Sequence, residues 1–122
     1  MVKKAGITIS SRKAKGRRLQ QWVAQKISEI TGIKYGKDEM IASREMGQNG
    51  VDIRLVEKAK ILFPFSVECK NTEKLNVWKA IDQARDNQME NTDWLVVAKR
   101  NREKPIVIID AERFFSLLSR CK

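Results

Sequence analysis

Three side chains in this sequence have the types and spacing to do chemistry together: Asp52, Glu68 and Lys70. Glu68-Cys69-Lys70 is the only acid-x-lysine triplet in the chain. It closes the apolar run ILFPFSVECK at 61–70, which reads as a strand. Residues two apart on a strand point the same way, so Glu68 and Lys70 share a face. In VDIRLV at 51–56, Val51, Ile53 and Leu55 take one face and Asp52 and Arg54 the other. If these strands pair as a hairpin about 57–60, Asp52 comes to lie beside Glu68. Two carboxylates from neighbouring strands suit a hard divalent cation such as Mg2+, with phosphate and water as its other ligands. Such an ion lowers the pKa of bound water and neutralises charge on a leaving oxygen. A nearby lysine stabilises the charge that develops on phosphorus. That set is what phosphodiester hydrolysis requires. The plainer reading is an ion pair between Glu68 and Lys70 on a solvated sheet face, with Asp52 a polar residue near a loop.

The rest of the composition narrows the choice. The chain has no histidine, which removes Ser-His-Asp and Cys-His hydrolases and a histidine general base. Cys69 and Cys121 stand far apart and do not suggest a zinc site. Cys69 is expected as a small core residue and Cys121 as an exposed thiol. The net charge is +10, from 25 basic and 15 acidic residues. In a chain of 122 residues that excess points to a polyanionic partner. No apolar run reaches the roughly 20 residues of a membrane span. MVKKAGITIS lacks the apolar core of a secretory signal. The expectation is therefore a soluble protein of the cytoplasm, or of the host cytoplasm if phage-encoded, with no membrane partner and no small-molecule cofactor.

Several elements must position the three residues. Residues 1–14 read as a flexible basic arm and 15–122 as one domain. Residues 1–18 carry Lys3, Lys4, Arg12, Lys13, Lys15, Arg17 and Arg18 and no acid. From about 16 to 31, Leu19, Trp22, Val23, Ile27 and Ile30 recur at helical spacing, and Gly32 ends the helix. A short extended segment follows near 38–43, and Gly47 and Gly50 bracket a loop. The polar stretch EKAK at 57–60 reads as a turn. Residues 75–90 read as a second helix, with Leu75, Trp78, Ile81 and further on Arg85 and Met89 along one side. Gln83 on that helix could face the site. Trp78 and Trp94 read as core or dimer contacts. WLVVAK at 94–99 and PIVIID at 105–110 read as strands joined by the basic turn RNRE. Asp110 is a plausible N-cap for a last helix. The order is α-β-β-β-α-β-β-α, an α/β fold with a mixed central sheet flanked by helices.

Asp52 followed by Glu68-x-Lys70 on the next strand, and then a helix, resembles the PD-(D/E)xK nuclease core. More narrowly, the chain resembles the archaeal-type Holliday junction resolvases, some of which occur in phages. Lys15-Gly16 is similar to the family's start of the first helix. Arg44-x-x-Gly47-x-x-x-x-Asp52 is similar to its loop into the catalytic aspartate. Glu68-Cys69-Lys70 is similar to its strand with the second acid and the lysine. The resemblance spans roughly 13 to 110. It implies a restriction-endonuclease-like core with Asp52, Glu68 and Lys70 catalytic and Asp52 and Glu68 on Mg2+, for which Mn2+ could substitute. The family places a glutamate four residues after the glycine; here Gln20 stands there. A glutamine offers a carbonyl oxygen without charge, and Glu39 or Glu45 are alternatives. The family's loop serine is here Gln48.

The resemblance further implies a homodimer that resolves four-way DNA junctions by paired nicks, reading backbone shape and charge. Lys13, Lys15, Arg17, Arg44 and Gln48 are the expected DNA contacts. The alternatives are another endonuclease of the superfamily (flap, nicking or restriction-like) or a DNA-binding module without catalysis.

Overall fold

The computed structural model describes residues 9–44 and 50–121. Helix α1 (Ile9–Thr31) leads into a short ladder of β1 (Ile41–Ser43) and β2 (Ile53–Leu55). A one-and-a-half-turn helix α2 (Glu57–Leu62) precedes β3 (Phe65–Asn71), and α3 (Val77–Asp86) crosses to β4 (Asp93–Lys99). The chain closes with β5 (Ile106–Ile109) and α4 (Ala111–Ser119). This is a mixed α/β architecture.

The strands form two small sheets among the described residues. β1 and β2 pair antiparallel. The second sheet runs β3-β4-β5, with β3 and β4 parallel and β4 and β5 antiparallel. The parallel pair requires a crossover, which α3 supplies.

The core is built where the apolar periods of helix and strand meet. Leu19, Val23 and Ile27 of α1 pack with Ile53 and Leu55 of β2, Phe65 and Val67 of β3, and Leu95 and Val97 of β4. Burying each such side chain contributes roughly 1.5–3 kcal/mol. On the opposite face of the second sheet, Ala80 and Ala84 of α3 lie against Val96 and Ala98. Small residues there let the helix approach the sheet closely.

Gly32 ends α1 as expected, at φ +75° with its N–H donated to the Ser28 carbonyl at 2.8 Å. Asp110 caps α4 by accepting from the Arg113 N–H at 2.9 Å.

Other expectations are corrected. α1 begins at Ile9, so residues 9–14 are helical rather than part of a flexible arm. Its first turns are polar and carry no apolar period, but arginine, lysine and alanine favour helix. Residues 1–8 lie outside the described residues.

EKAK is the start of α2, not a turn, because a run of good helix formers can bury Ala59 while its lysines stay solvated. The strand after it therefore starts at Phe65, not at 61, and no hairpin joins β2 to β3. Trp22 and Ile30, expected on the buried face of α1, are 45% and 70% exposed. Trp78 is 73% exposed and so is not the core residue that was one of its two expected roles, because alanines and Ile81 form the packed face of α3. No helix among the described residues is long and apolar enough to cross a membrane.

Candidate active site

Asp52 reaches β3 without a hairpin. Its own N–H donates to the Val67 carbonyl at 3.0 Å, and its Oδ2 accepts from the Cys69 N–H at 2.7 Å. β4 occupies one edge of β3; Asp52 occupies the other. The alternation of β2 explains the arrangement. Val51, Ile53 and Leu55 are buried beneath, which directs Asp52 sideways to the free edge of β3.

Glu68 follows one residue after Val67 and turns to the other face of β3. It is buried, at 6% exposure. Lys70 projects from the same face, with Nζ 3.6 Å from Glu68 Oε2. Glu68 Oε1 is buried and has no hydrogen-bond partner among the described residues. The C-terminal end of α3 is pinned close by: the Met89 N–H donates to Ser66 Oγ at 2.9 Å, and the Ser66 and Thr92 hydroxyls are 2.6 Å apart. That anchorage brings Asn87 beside Glu68.

The electrostatics follow from this packing. Burial pushes the Asp52 carboxyl above its usual range, against the pull of the Cys69 N–H, Lys70 and Arg44. Burial, and then the neighbouring Asp52 charge, push Glu68 up; Lys70 and Asn87 pull it down. Cys69 lies between the two acids in sequence, and burial followed by their charges holds its thiol well above the usual value. That thiol is not a ready nucleophile.

Two acids raised by desolvation, Glu68 also by the Asp52 charge, with one carboxylate oxygen lacking a partner among the described residues, are what a hard cation would relieve. The residues present fit Mg2+ bound by two carboxylates, with phosphate and water completing the shell. Among the described residues no group of three or more His, Cys, Asp or Glu gathers as metal ligands.

The remaining candidates fall in different places. Arg44 is next to the centre: its N–H donates to the Asp52 carbonyl at 2.7 Å and its Nε to the Val51 carbonyl. Gly50, at φ +105°, leaves room for that guanidinium, because a Cβ there would meet Arg44 Cζ at 3.3 Å. Gln20 is buried on α1 at 7% exposure, and no hydrogen bond joins it to Asp52 or Glu68. Glu39 is exposed and meets Arg54 only through its backbone carbonyl. Gln83 is exposed.

Lys13 and Arg17 are exposed on α1. Lys15 is tied to the end of β3 and to the β4–β5 turn, by the Asn71 amide donated to its carbonyl at 3.3 Å and by its Nζ donated to Asn101. Gln48, Glu45 and Gly47 lie outside the described residues.

Asn87 was not legible in the sequence, since only the fold of the α3–β4 connection carries it to Glu68. The clustering of Lys15 with Asn71 and Asn101 was hidden for the same reason.

No protein-family model matches the chain, and neither does any curated protein or solved structure.

Proposed function

We propose that this chain is a metal-dependent, structure-selective DNA endonuclease with a restriction-endonuclease-like core, acting on four-way junctions. The observation that carries the reading is the meeting of Asp52 and Glu68 at Lys70 along β3, with a buried carboxylate oxygen that has no partner among the described residues. The net charge of +10 supports a polyanionic substrate.

Asp52 and Glu68 would hold Mg2+, or Mn2+ in its place, and the ion would supply an activated water and neutralise charge on the leaving oxygen. Lys70, beside Glu68, stabilises charge on the phosphate under attack. Arg44, anchored through Val51 and Asp52, places a cation next to the aspartate and can hold a flanking phosphate. The Cys69 N–H fixes Asp52 in orientation before substrate arrives, which reduces reorganisation during the reaction.

Lys13 and Arg17 stand on the exposed face of α1, where they can meet phosphate. A homodimer would match the two-fold symmetry of a four-way junction, with one centre for each of two nicks. The test is a cleavage panel with Mg2+ on four-way junction, flap, linear duplex and single-stranded DNA. Paired nicks confined to the junction are expected. Equal cutting of flap or duplex would replace junction resolution with a different endonuclease of the same chemistry. Tight DNA binding with no cleavage in Mg2+ or Mn2+ would replace it with a binding module.

A further inference from the structure

A second site lies one residue along β3 from Lys70, on the opposite face. Four cations line a cavity of about 340 Å3 there: Lys15 and Arg18 from α1, Lys99 from the end of β4, and Arg102 from the turn into β5. No acid is among its lining residues. Arg18 and Arg102 are exposed and form no ion pair with any described residue. Trp22, 45% exposed, forms one wall.

The floor is ordered in advance. Asn71 and Lys99 are register partners at the carboxyl ends of the parallel strands. Asn71 donates to the Lys15 carbonyl, and Lys15 Nζ donates to Asn101, whose backbone N–H is held by the Glu73 carboxylate at 2.6 Å. Lys15 is thus satisfied by a neutral amide, and its charge remains available. Arg102 holds a left-handed φ of +67° at the tip of the turn, a conformation that costs a non-glycine residue and sets where its guanidinium emerges. Outside the groove lining, Lys26 Nζ lies 5.4 Å from the Trp22 ring centroid and 3.7 Å from Glu29 Oε1.

Cations without acids select a phosphate-bearing ligand, and a half-exposed indole in the same wall selects a flat ring. The carboxyl ends of parallel strands are where α/β folds bind such ligands. A duplex keeps its bases stacked inside and cannot present one to a cavity of this size; an unpaired strand can.

We infer that this groove binds an unpaired nucleotide of a DNA strand, its base stacked on Trp22 and its phosphates held by Arg18, Lys99 and Arg102. This rests on the endonuclease reading and deepens it: the unpaired strand at a branch enters here, at the end of β3 that carries Lys70.

The experiment is fluorescence anisotropy with a labelled thymidine oligonucleotide and a labelled blunt duplex, in the absence of divalent metal. Trp22→Leu keeps an apolar side chain and removes the aromatic face; it should weaken oligonucleotide binding about tenfold. Trp22→Phe should bind nearly as the parent, and duplex binding should change little in either. Arg18→Ala with Arg102→Ala, both at exposed positions, should weaken oligonucleotide binding and flatten its salt dependence. This pair decides the matter if melting curves show that Trp22→Leu fails to fold. Unchanged oligonucleotide binding in the variants that fold overturns the site, as does an equal loss on oligonucleotide and duplex. Competition by thymidine monophosphate as strong as by the oligonucleotide, at equal nucleotide concentration, would replace a strand with a free nucleotide. Because no cleavage is read, failure here leaves the endonuclease test standing, and failure there leaves this binding result intact.

Discussion

Asp52 accepts the Cys69 N–H at 2.7 Å, so a carboxylate carried by one sheet terminates the free edge of the other. The same bond does two jobs. It satisfies a backbone donor that β4, on the far side of β3, cannot reach, and it fixes the first acid of the centre relative to Glu68 and Lys70.

These two jobs can be separated at Asp52. Asp52→Asn keeps a side-chain oxygen for the Cys69 N–H and should leave the melting temperature nearly unchanged while abolishing DNA cleavage. Asp52→Ala should abolish cleavage and also leave that donor unpaired, at a cost of about 1–3 kcal/mol. Chemical denaturation of the two variants beside a nicking assay reads both effects. Cleavage by Asp52→Asn at the parent rate would remove the residue from the chemistry.

Lys70→Ala should lower the cleavage rate about 100-fold or more, the scale for losing one preorganised charge-stabilising group. DNA binding should be largely retained, since many other cations remain. Single-turnover rates together with a binding titration give the two numbers. A loss confined to affinity would reassign Lys70 from the reaction to substrate binding.

Glu68 sets a pH dependence on the metal-free protein. Its folded carboxyl is held above the ordinary value, first by burial and then by Asp52. The folded state therefore holds this proton more tightly than the unfolded chain. The resulting stability is fully present below the unfolded carboxyl pKa of about 4.3 and is lost as pH rises through the folded value. Glu68→Gln should accordingly melt a few degrees higher than the parent near neutral pH, with the difference closing as pH falls towards about 4. Calorimetry across that range, without divalent ions, checks the sign; a lower melting temperature for Glu68→Gln at neutral pH would refute it.

Gly50→Ala tests the seat of Arg44. The backbone at φ +105° excludes ordinary side chains, and the new Cβ would stand 3.3 Å from the guanidinium carbon. A loss of about 1–3 kcal/mol is expected. Arg44 should also move from the Val51 carbonyl, weakening DNA binding. Parent-like stability would show that the turn can relax.

Gln20→Glu asks whether α1 contributes to the metal centre. Without metal, a carboxylate at this buried position should lower the melting temperature. If it joins the acids, Mg2+ should restore that loss and shift the variant further than the parent. Equal Mg2+ shifts in the two proteins would exclude Gln20 from the site.

How much of this was legible follows from the range of each interaction. The alternation in 51–56 foretold that Val51, Ile53 and Leu55 are buried and that Asp52 diverges from them, because strand geometry is local. The two-residue spacing of Glu68 and Lys70 likewise foretold their shared face. Caps at Gly32 and Asp110 are written in single residues. The helical nature of 57–60 is hidden in the sequence because its polar composition resembles a turn, and only the burial of Ala59 reveals the difference.

By itself the sequence determined the chemical inventory: two acids and a lysine on apolar strands, no histidine, and a large positive charge. Tertiary structure alone decided how they meet. Asp52 joins β3 through two backbone groups rather than a hairpin, Asn87 arrives beside Glu68 from the end of α3, and α1 meets the β4–β5 turn to assemble the cationic groove. The physical reason is range: propensity and periodicity act between near neighbours in the chain, whereas desolvation and charge coupling depend on which distant elements share a core.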